Sequence, residues 1–287
     1  MSAKKHIRIG VNAWVFEAPF TDNSLGVIAK IKEMGFDTAE FPLEQLSYLS
    51  AKKVNEALKG TGLTPVTCGV FGPDRDLTSD DPKPRKACLD YVRGALKFSE
   101  AIGSKLIIGP MYSAVGKRRH VSAEQRKIEW DRAVSGLQKA GKMAADYGVT
   151  IALEPLNRFE TDLINMSEQC VRLVDDIGMK SVGIHLDTFH MNIEEKSIYK
   201  AVKTAGKKLV HVHACENDRS APGSGNVDWK GLAKGLTEID YKGNVVIESF
   251  TPDCTALAAA TCIWHPLAAT QDDLAKDGLK FLRKLLN

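Results

Sequence analysis

Four ionisable residues recur along the second half of the chain, each closing a short apolar run: Glu154, Asp187, His213 and Glu248. The gaps between them are 33, 26 and 35 residues, about one strand–helix repeat each. Three carboxylates and one imidazole, with no thiolate, form a hard-to-borderline donor set. Such a set suits an octahedral divalent ion such as Mn²⁺, Mg²⁺ or Co²⁺, with positions left for water or substrate oxygens. A lone polar residue at a strand end needs only solvent or a hydrogen bond. Three carboxylates in one mouth repel each other, and their proton affinities rise unless a cation neutralises them. The four residues therefore predict a metal site, provided that a fold brings them together.

Their neighbours extend the pattern. Glu160 follows Glu154 by six residues, His190 follows Asp187 by three, and Arg219 follows His213 by six. Donors and acceptors on loops above an ion are what a polyhydroxylated substrate needs. Arg158 reads instead as a salt bridge that shapes its loop. His185 and His211 fall a layer deeper than the metal and read as hydrogen-bonded core histidines.

The elements that must position these residues follow from periodicity. Short apolar runs predict strands at Ile7–Asn12, Phe36–Phe41, Leu63–Cys68, Lys105–Gly109, Val149–Glu154, Val182–Asp187, Leu209–Ala214 and Asn244–Ser249. Amphipathic stretches such as Ser24–Met34, Pro84–Ile102 and Ser122–Tyr147 lie between them. Glycines at 35, 62, 103, 148, 178 and 243 punctuate the rhythm as stops before strands. Eight such repeats predict an α/β fold, a (β/α)8 TIM barrel, as a single domain over residues 1–287.

Alternation within the last four strands sharpens this. Val149, Ile151 and Leu153 share one parity, and Glu154 takes the other. Val182, Ile184 and Leu186 oppose Asp187; Val210 and Val212 oppose His211 and His213; Val245 and Ile247 oppose Glu248. The bulky residues face the helices, so all four ionisable residues point into the lumen. They lie at the C-terminal rim, where barrels of this kind keep their chemistry.

Composition narrows the function classes. The 287 residues carry 39 Lys and Arg against 36 Asp and Glu, a net charge of +3. That is too balanced for an electrostatic grip on nucleic acid or an anionic membrane. The first residues are basic but lack an apolar h-region, and six cysteines show no Cys-x-x-Cys pair. A cytoplasmic protein without a disulfide framework is expected.

At these residues the sequence resembles the D-tagatose 3-epimerase and D-allulose (D-psicose) 3-epimerase family. The resemblance lies in Leu153–Glu160, in Asp187-Thr188-Phe189-His190-Met191-Asn192-Ile193-Glu194-Glu195, in His211–Arg219 and in Val246–Phe250. It covers most of the chain from Gly10 onward. It implies a metal-dependent epimerisation of free ketohexoses or ketopentoses at C3, with Mn²⁺ the expected ion and Co²⁺ or Mg²⁺ the substitutes. Carried across by motif, Glu154, Asp187, His213 and Glu248 match the metal ligands. Glu154 and Glu248 also match the two acid/base carboxylates, and Glu160, His190 and Arg219 the substrate-holding residues. The family further implies a homodimer or homotetramer.

Departures concern the far end of the sugar pocket. After the fourth strand the chain reads Ile108-Gly109-Pro110-Met111-Tyr112, where some relatives carry a tryptophan. Cys68 after strand three and Trp14 after strand one are the candidate wall residues there. Pro222-Gly223-Ser224-Gly225 reads as an ordinary turn, since no Lys follows in the P-loop position. The apolar stretch from Ala256 to Ala269, with Trp264, is a candidate interface or lid, or packs on the last helix. The loops after strands three, four and eight are expected to overhang the mouth. Rival readings are another sugar or inositol isomerase or dehydratase, such as a hydroxypyruvate isomerase or inosose dehydratase. An endonuclease IV-like nuclease is more remote: it needs further histidines at the third and fourth strand ends, where Cys68 and Gly109-Pro110 stand. A non-catalytic sugar-binding barrel would have no need of two carboxylates beside the ion.

Overall fold

The structure, a computed structural model, describes residues 7–287. Eight parallel strands close on themselves: β1 (Arg8–Asn12), β2 (Thr38–Leu43), β3 (Thr64–Gly69), β4 (Leu106–Gly109), β5 (Thr150–Leu153), β6 (Val182–Asp187), β7 (Leu209–Ala214) and β8 (Asn244–Ile247). Helices follow the strands: α1 (Gly26–Glu33), α2 (Ala51–Leu58), α3 (Pro82–Ala101), α4 (Ala123–Tyr147), α5 (Ser167–Ile177), α6 (Thr188–Glu194), α7 (Ile198–Ala205), α8 (Trp229–Glu238), α9 (Thr255–Thr261) and α10 (Gln271–Leu286). The expected α/β barrel is present.

Two apolar layers account for its closure. Ile151, Leu153, Ile184, Leu186, Val212, Val245 and Ile247 join the helices in an outer core. Val66, Cys68, Leu106, Ile108 and Ala152 fill the lumen, and Trp14, Phe250 and Ile263 cap them at the mouth. Parity thus separates the two sets as expected, with one correction at Val210. That residue packs against the inner cluster rather than the helices. The β6–β7 register skips it, pairing Ile184 with Leu209 and His185 with His211. Val210 is the extra residue of a bulge, which lets its side chain leave the outer face.

The glycine stops have two physical causes. Gly148 and Gly178 cap α4 and α5 at φ of +62° and +68°, a left-handed turn that glycine adopts freely. Gly243 is different: a Cβ there would stand 2.8 Å from the Val210 carbonyl oxygen and collide with Tyr241 Oη. It provides room rather than a turn. Among the described residues no helix is long and apolar enough to cross a membrane.

Candidate active site

The four strand ends meet. Asp187 ends β6, His213 lies in β7, and Glu154 and Glu248 sit one residue past β5 and β8. All four are buried. Donor atoms of Glu154, Asp187 and His213 lie within 4.8 Å of one another, and Glu248 Oε2 is 3.4 Å from His213 Nδ1. Strand order places Glu154 and Glu248 on the two flanks of this arc, with Asp187 and His213 between.

Local bonds aim each side chain. Asp187 is the N-cap of α6: Phe189 N donates to Oδ1 across 2.7 Å, which leaves Oδ2 for the mouth. The Thr188 hydroxyl donates to Cys215 O at 2.7 Å and accepts from Cys215 N at 2.9 Å, tying the ends of β6 and β7. Tyr112, fully buried, donates its hydroxyl to the Glu154 carbonyl at 2.9 Å. His213 is gripped from below, its Nε2 2.7 Å from Glu40 Oε1.

Glu40 on β2 is a residue that sequence reasoning missed. The signal was available, because Ala39 and Phe41 belong to the outer core and Glu40 therefore points inward. Its Oε2 lies 2.8 Å from His211 Nε2, out of line for a hydrogen bond. The expectation of hydrogen-bonded core histidines needs correction for His211, whose two ring nitrogens are buried without a hydrogen-bond partner, and equally for His185. It is wholly buried, yet neither ring nitrogen has a hydrogen-bond partner. Its ring instead meets His213 edge-on, with centroids 4.2 Å apart.

Electrostatics follow from this crowding. Burial, then the neighbouring Glu248 and Asp187, push the Glu154 carboxyl well above the usual range, against the pull of His213 and Arg219. Burial opposes charge on His213, but Glu40 and Glu248 beside it raise its pKa well above that of a free imidazole. Burial would raise Glu40 as well, yet His213 and His211 hold it well below the carboxylate range. Asp187 is likewise buried and held low by Arg219, His190 and His213.

Do these residues suit an ion? His213 Nδ1 is buried and has no hydrogen-bond partner, while its Nε2 is occupied by Glu40. An imidazole with one nitrogen on a carboxylate and the other facing acidic oxygens is the arrangement found at metal-ligating histidines. At 4 Å, like charges repel by about 4 kcal/mol at an effective dielectric near 20. One guanidinium cannot offset every pair among three carboxylates. A divalent cation can, and the cluster is capable of holding one.

The structure also brings Arg219 and His190 to the cluster. Arg219 Nη1 donates to Asp187 Oδ2 at 2.6 Å and to Glu248 Oε2 at 2.9 Å. The guanidinium lies over the Phe189 ring at 4.1 Å, and its backbone is strained at φ +71°. His190 Nδ1 accepts from the Asn157 backbone N–H at 3.1 Å, so its own proton belongs on Nε2, 3.8 Å from Glu154 Oε1. Burial lowers its pKa, favouring the neutral ring. Glu160 sits at the edge, its Oε1 accepting from Asn157 Nδ2 at 2.8 Å. Asn157, which organises both, was also missed.

Cys68 and Trp14 share an apolar wall with Ile108, Phe250 and Ile263. The Trp14 indole N–H donates to Glu44 Oε1 at 2.9 Å, so its ring rather than its donor serves as wall. Burial raises the Cys68 thiol well above its usual pKa, which leaves it an inert neutral surface. Ile263 shows that the 256–269 stretch packs over the mouth, although Trp264 is 71% exposed. Arg158 forms the expected salt bridge, Nε to Glu194 Oε1 at 2.9 Å. The Pro222–Gly225 turn wraps a carboxylate, not an open anion site: Glu216 accepts from Gly223 N, Val227 N and Trp229 Nε1.

A closed (β/α)8 barrel presents at its C-terminal rim, where barrel enzymes keep their chemistry, a buried histidine–carboxylate cluster capable of holding a divalent ion. The comparisons with known proteins say which class of barrel enzyme this is. A family model for xylose isomerase-like TIM barrels matches residues 28–285. The D-psicose 3-epimerase of Ruminiclostridium cellulolyticum is 34% identical over 255 residues, covering 87% of this chain and 86% of its own. The ketose 3-epimerase of Arthrobacter globiformis is 30% identical over 283 residues, covering 98% and 97%. The crystal structure of D-allulose 3-epimerase from Methylomonas sp. superposes with a TM-score of 0.93 at 30% identity, covering 98% of this chain and 99% of that one. The chain belongs to the ketose 3-epimerase family of xylose isomerase-like TIM barrels, and it is an isomerase.

Proposed function

We propose that this protein interconverts C3 epimers of free ketohexoses and ketopentoses: D-fructose with D-allulose, D-tagatose with D-sorbose, L-ribulose with L-xylulose. The ion is Mn²⁺, with Co²⁺ or Mg²⁺ as substitutes, held by Glu154, Asp187, His213 and Glu248. The observation that carries this reading is the placement of Glu154 and Glu248 on opposite flanks of one buried cluster.

Epimerisation removes a proton from one face of C3 and returns one to the other, a task a single fixed base does poorly. Two carboxylates can share it, one ionised to accept and one protonated to donate. The ion, when bound, supplies Lewis acidity towards the C2 carbonyl. Arg219 and the Nε2–H of His190 donate hydrogen bonds where negative charge develops on the sugar oxygens. Glu160 accepts from sugar hydroxyls at the edge, and Trp14 and Cys68 bound the non-reacting end.

The same reading makes a free ketose the partner, with neither nucleic acid nor membrane, in a cytoplasmic homodimer or homotetramer. Incubation of Mn²⁺-loaded protein with D-fructose, D-allulose, D-tagatose and L-ribulose tests it. C3 epimers carrying solvent deuterium at C3 are expected in deuterated water. Aldose products alone, or loss of water from the sugar, would point instead to the sugar isomerase or dehydratase reading.

A further inference from the structure

Glu40 takes no part in the chemistry above, yet it is fully buried and reaches across the lumen from β2 to β7. Its surroundings fix where protons sit. Asn12 on β1 accepts from the Trp14 backbone N–H through Oδ1, at 2.9 Å. The Asn12 amide must then present its Nδ2–H to Glu40 Oε1, at 2.8 Å. That oxygen is an acceptor, and His213 Nε2, 2.7 Å away, must donate to it as well. A neutral imidazole has one N–H. With the proton on Nε2, the lone pair lies on Nδ1, which is 3.4 Å from Glu248 Oε2 and 3.9 Å from Asp187 Oδ2.

We infer that Glu40 is a positioning residue for the metal site: anchored by Asn12, it holds His213 in the Nε2–H tautomer, so that Nδ1 is free to ligate. The inference rests on the metal site proposed above. Its second oxygen faces His211 Nε2 at 2.8 Å without a hydrogen bond, so the Asn12 amide is what keeps the carboxylate from rotating off His213. Loss of the anchor lets the His213 proton move to Nδ1, where it blocks the ion. Outer partners of this kind typically change metal affinity by about 10- to 100-fold.

Isothermal titration with Mn²⁺ alone tests this without reference to turnover. Wild-type protein should bind one ion per chain. Glu40→Leu, which leaves no acceptor for His213 Nε2–H, should bind it about 10- to 100-fold more weakly, while retaining its circular dichroism spectrum. Equal affinity in the two proteins would overturn the inference and leave the metal site standing. No saturable binding by the wild type would overturn the metal site, and the inference with it. A second measurement needs no Glu40 variant. In Mg²⁺-loaded, ¹⁵N-histidine-labelled wild type, long-range ¹H–¹⁵N correlation should place the His213 proton on Nε2, with assignment by comparison with His213→Gln. A proton on Nδ1 would overturn the proposal.

Discussion

Arg219 donates from Nη1 to Asp187 Oδ2 across 2.6 Å, inside a site where both groups are buried. A guanidinium so placed can serve a sugar oxyanion or only neutralise the acids around it, and the two roles separate on mutation. If it stabilises developing charge, Arg219→Met should lower kcat/KM by about 10²- to 10³-fold, the usual cost of removing one such donor. Mn²⁺ affinity should not fall, because two acidic side chains lose a competing cation. Steady-state kinetics and calorimetry together check this. A loss of metal binding that matches the loss of rate would show that Arg219 only builds the site.

Glu154→Gln and Glu248→Gln should each abolish epimerisation at saturating ion with the fold intact. An amide neither takes a proton from carbon nor returns one. The telling measurement is deuterium wash-in at C3 of recovered substrate. Each variant keeps one base, so it should wash deuterium only into the epimer whose C3–H faces the remaining carboxylate and none into the other. Near-normal epimerisation in either would sink the two-carboxylate mechanism.

Metal binding should be strongly pH-dependent. Burial and neighbouring acids raise the proton affinity of Glu154, and the acids Glu40 and Glu248 raise that of His213. Both groups must lose protons for an ion to enter. Low pH therefore favours the competing protons, and apparent affinity climbs as pH rises towards the raised pKa values. Up to about two protons should leave per ion. Titrations in buffers of different ionisation enthalpy count them. Chelation should also lower the Tm, since ion at 100 times its Kd adds about 2.7 kcal/mol to stability.

Much of this was legible in the chain because barrel geometry is periodic. Parity in the last four strands sufficed to point Glu154, Asp187, His213 and Glu248 inward, and they meet. What escaped lies where periodicity gives way to individual contacts. The bulge at Val210 leaves no mark in an apolar run. Glu40 belongs to a strand whose residues are all buried, so only the apolar parity of Ala39 and Phe41 on either side marks it as pointing inward. Tyr112 matters through one hydrogen bond and Asn157 through its bonds to His190 and Glu160, and Phe250 and Ile263 through a loop that folds back over the mouth. The candidate glutamates, Glu154 and Glu248, fall one residue beyond the β5 and β8 ladders, where strand patterns blur.

That returning loop supports a last prediction. Ile263 is 6% exposed and shares the inner cluster with Trp14, Cys68 and Phe250, while the α9 segment before it buries only Ala258. Truncating a core isoleucine to alanine ordinarily costs about 2–5 kcal/mol of global stability. Of the returning loop's larger apolar side chains only Ile263 is fully packed, with Leu257 and Leu267 half-buried against the same cluster, and a segment so held loses local closure first. Ile263→Ala should therefore leave the Tm close to wild type and raise KM for ketoses, about tenfold for each 1.4 kcal/mol of closure lost. Amide exchange over Thr255–Thr261 should quicken in parallel. A large drop in Tm at unchanged KM would instead make this residue part of the barrel core, with no part in enclosing the sugar.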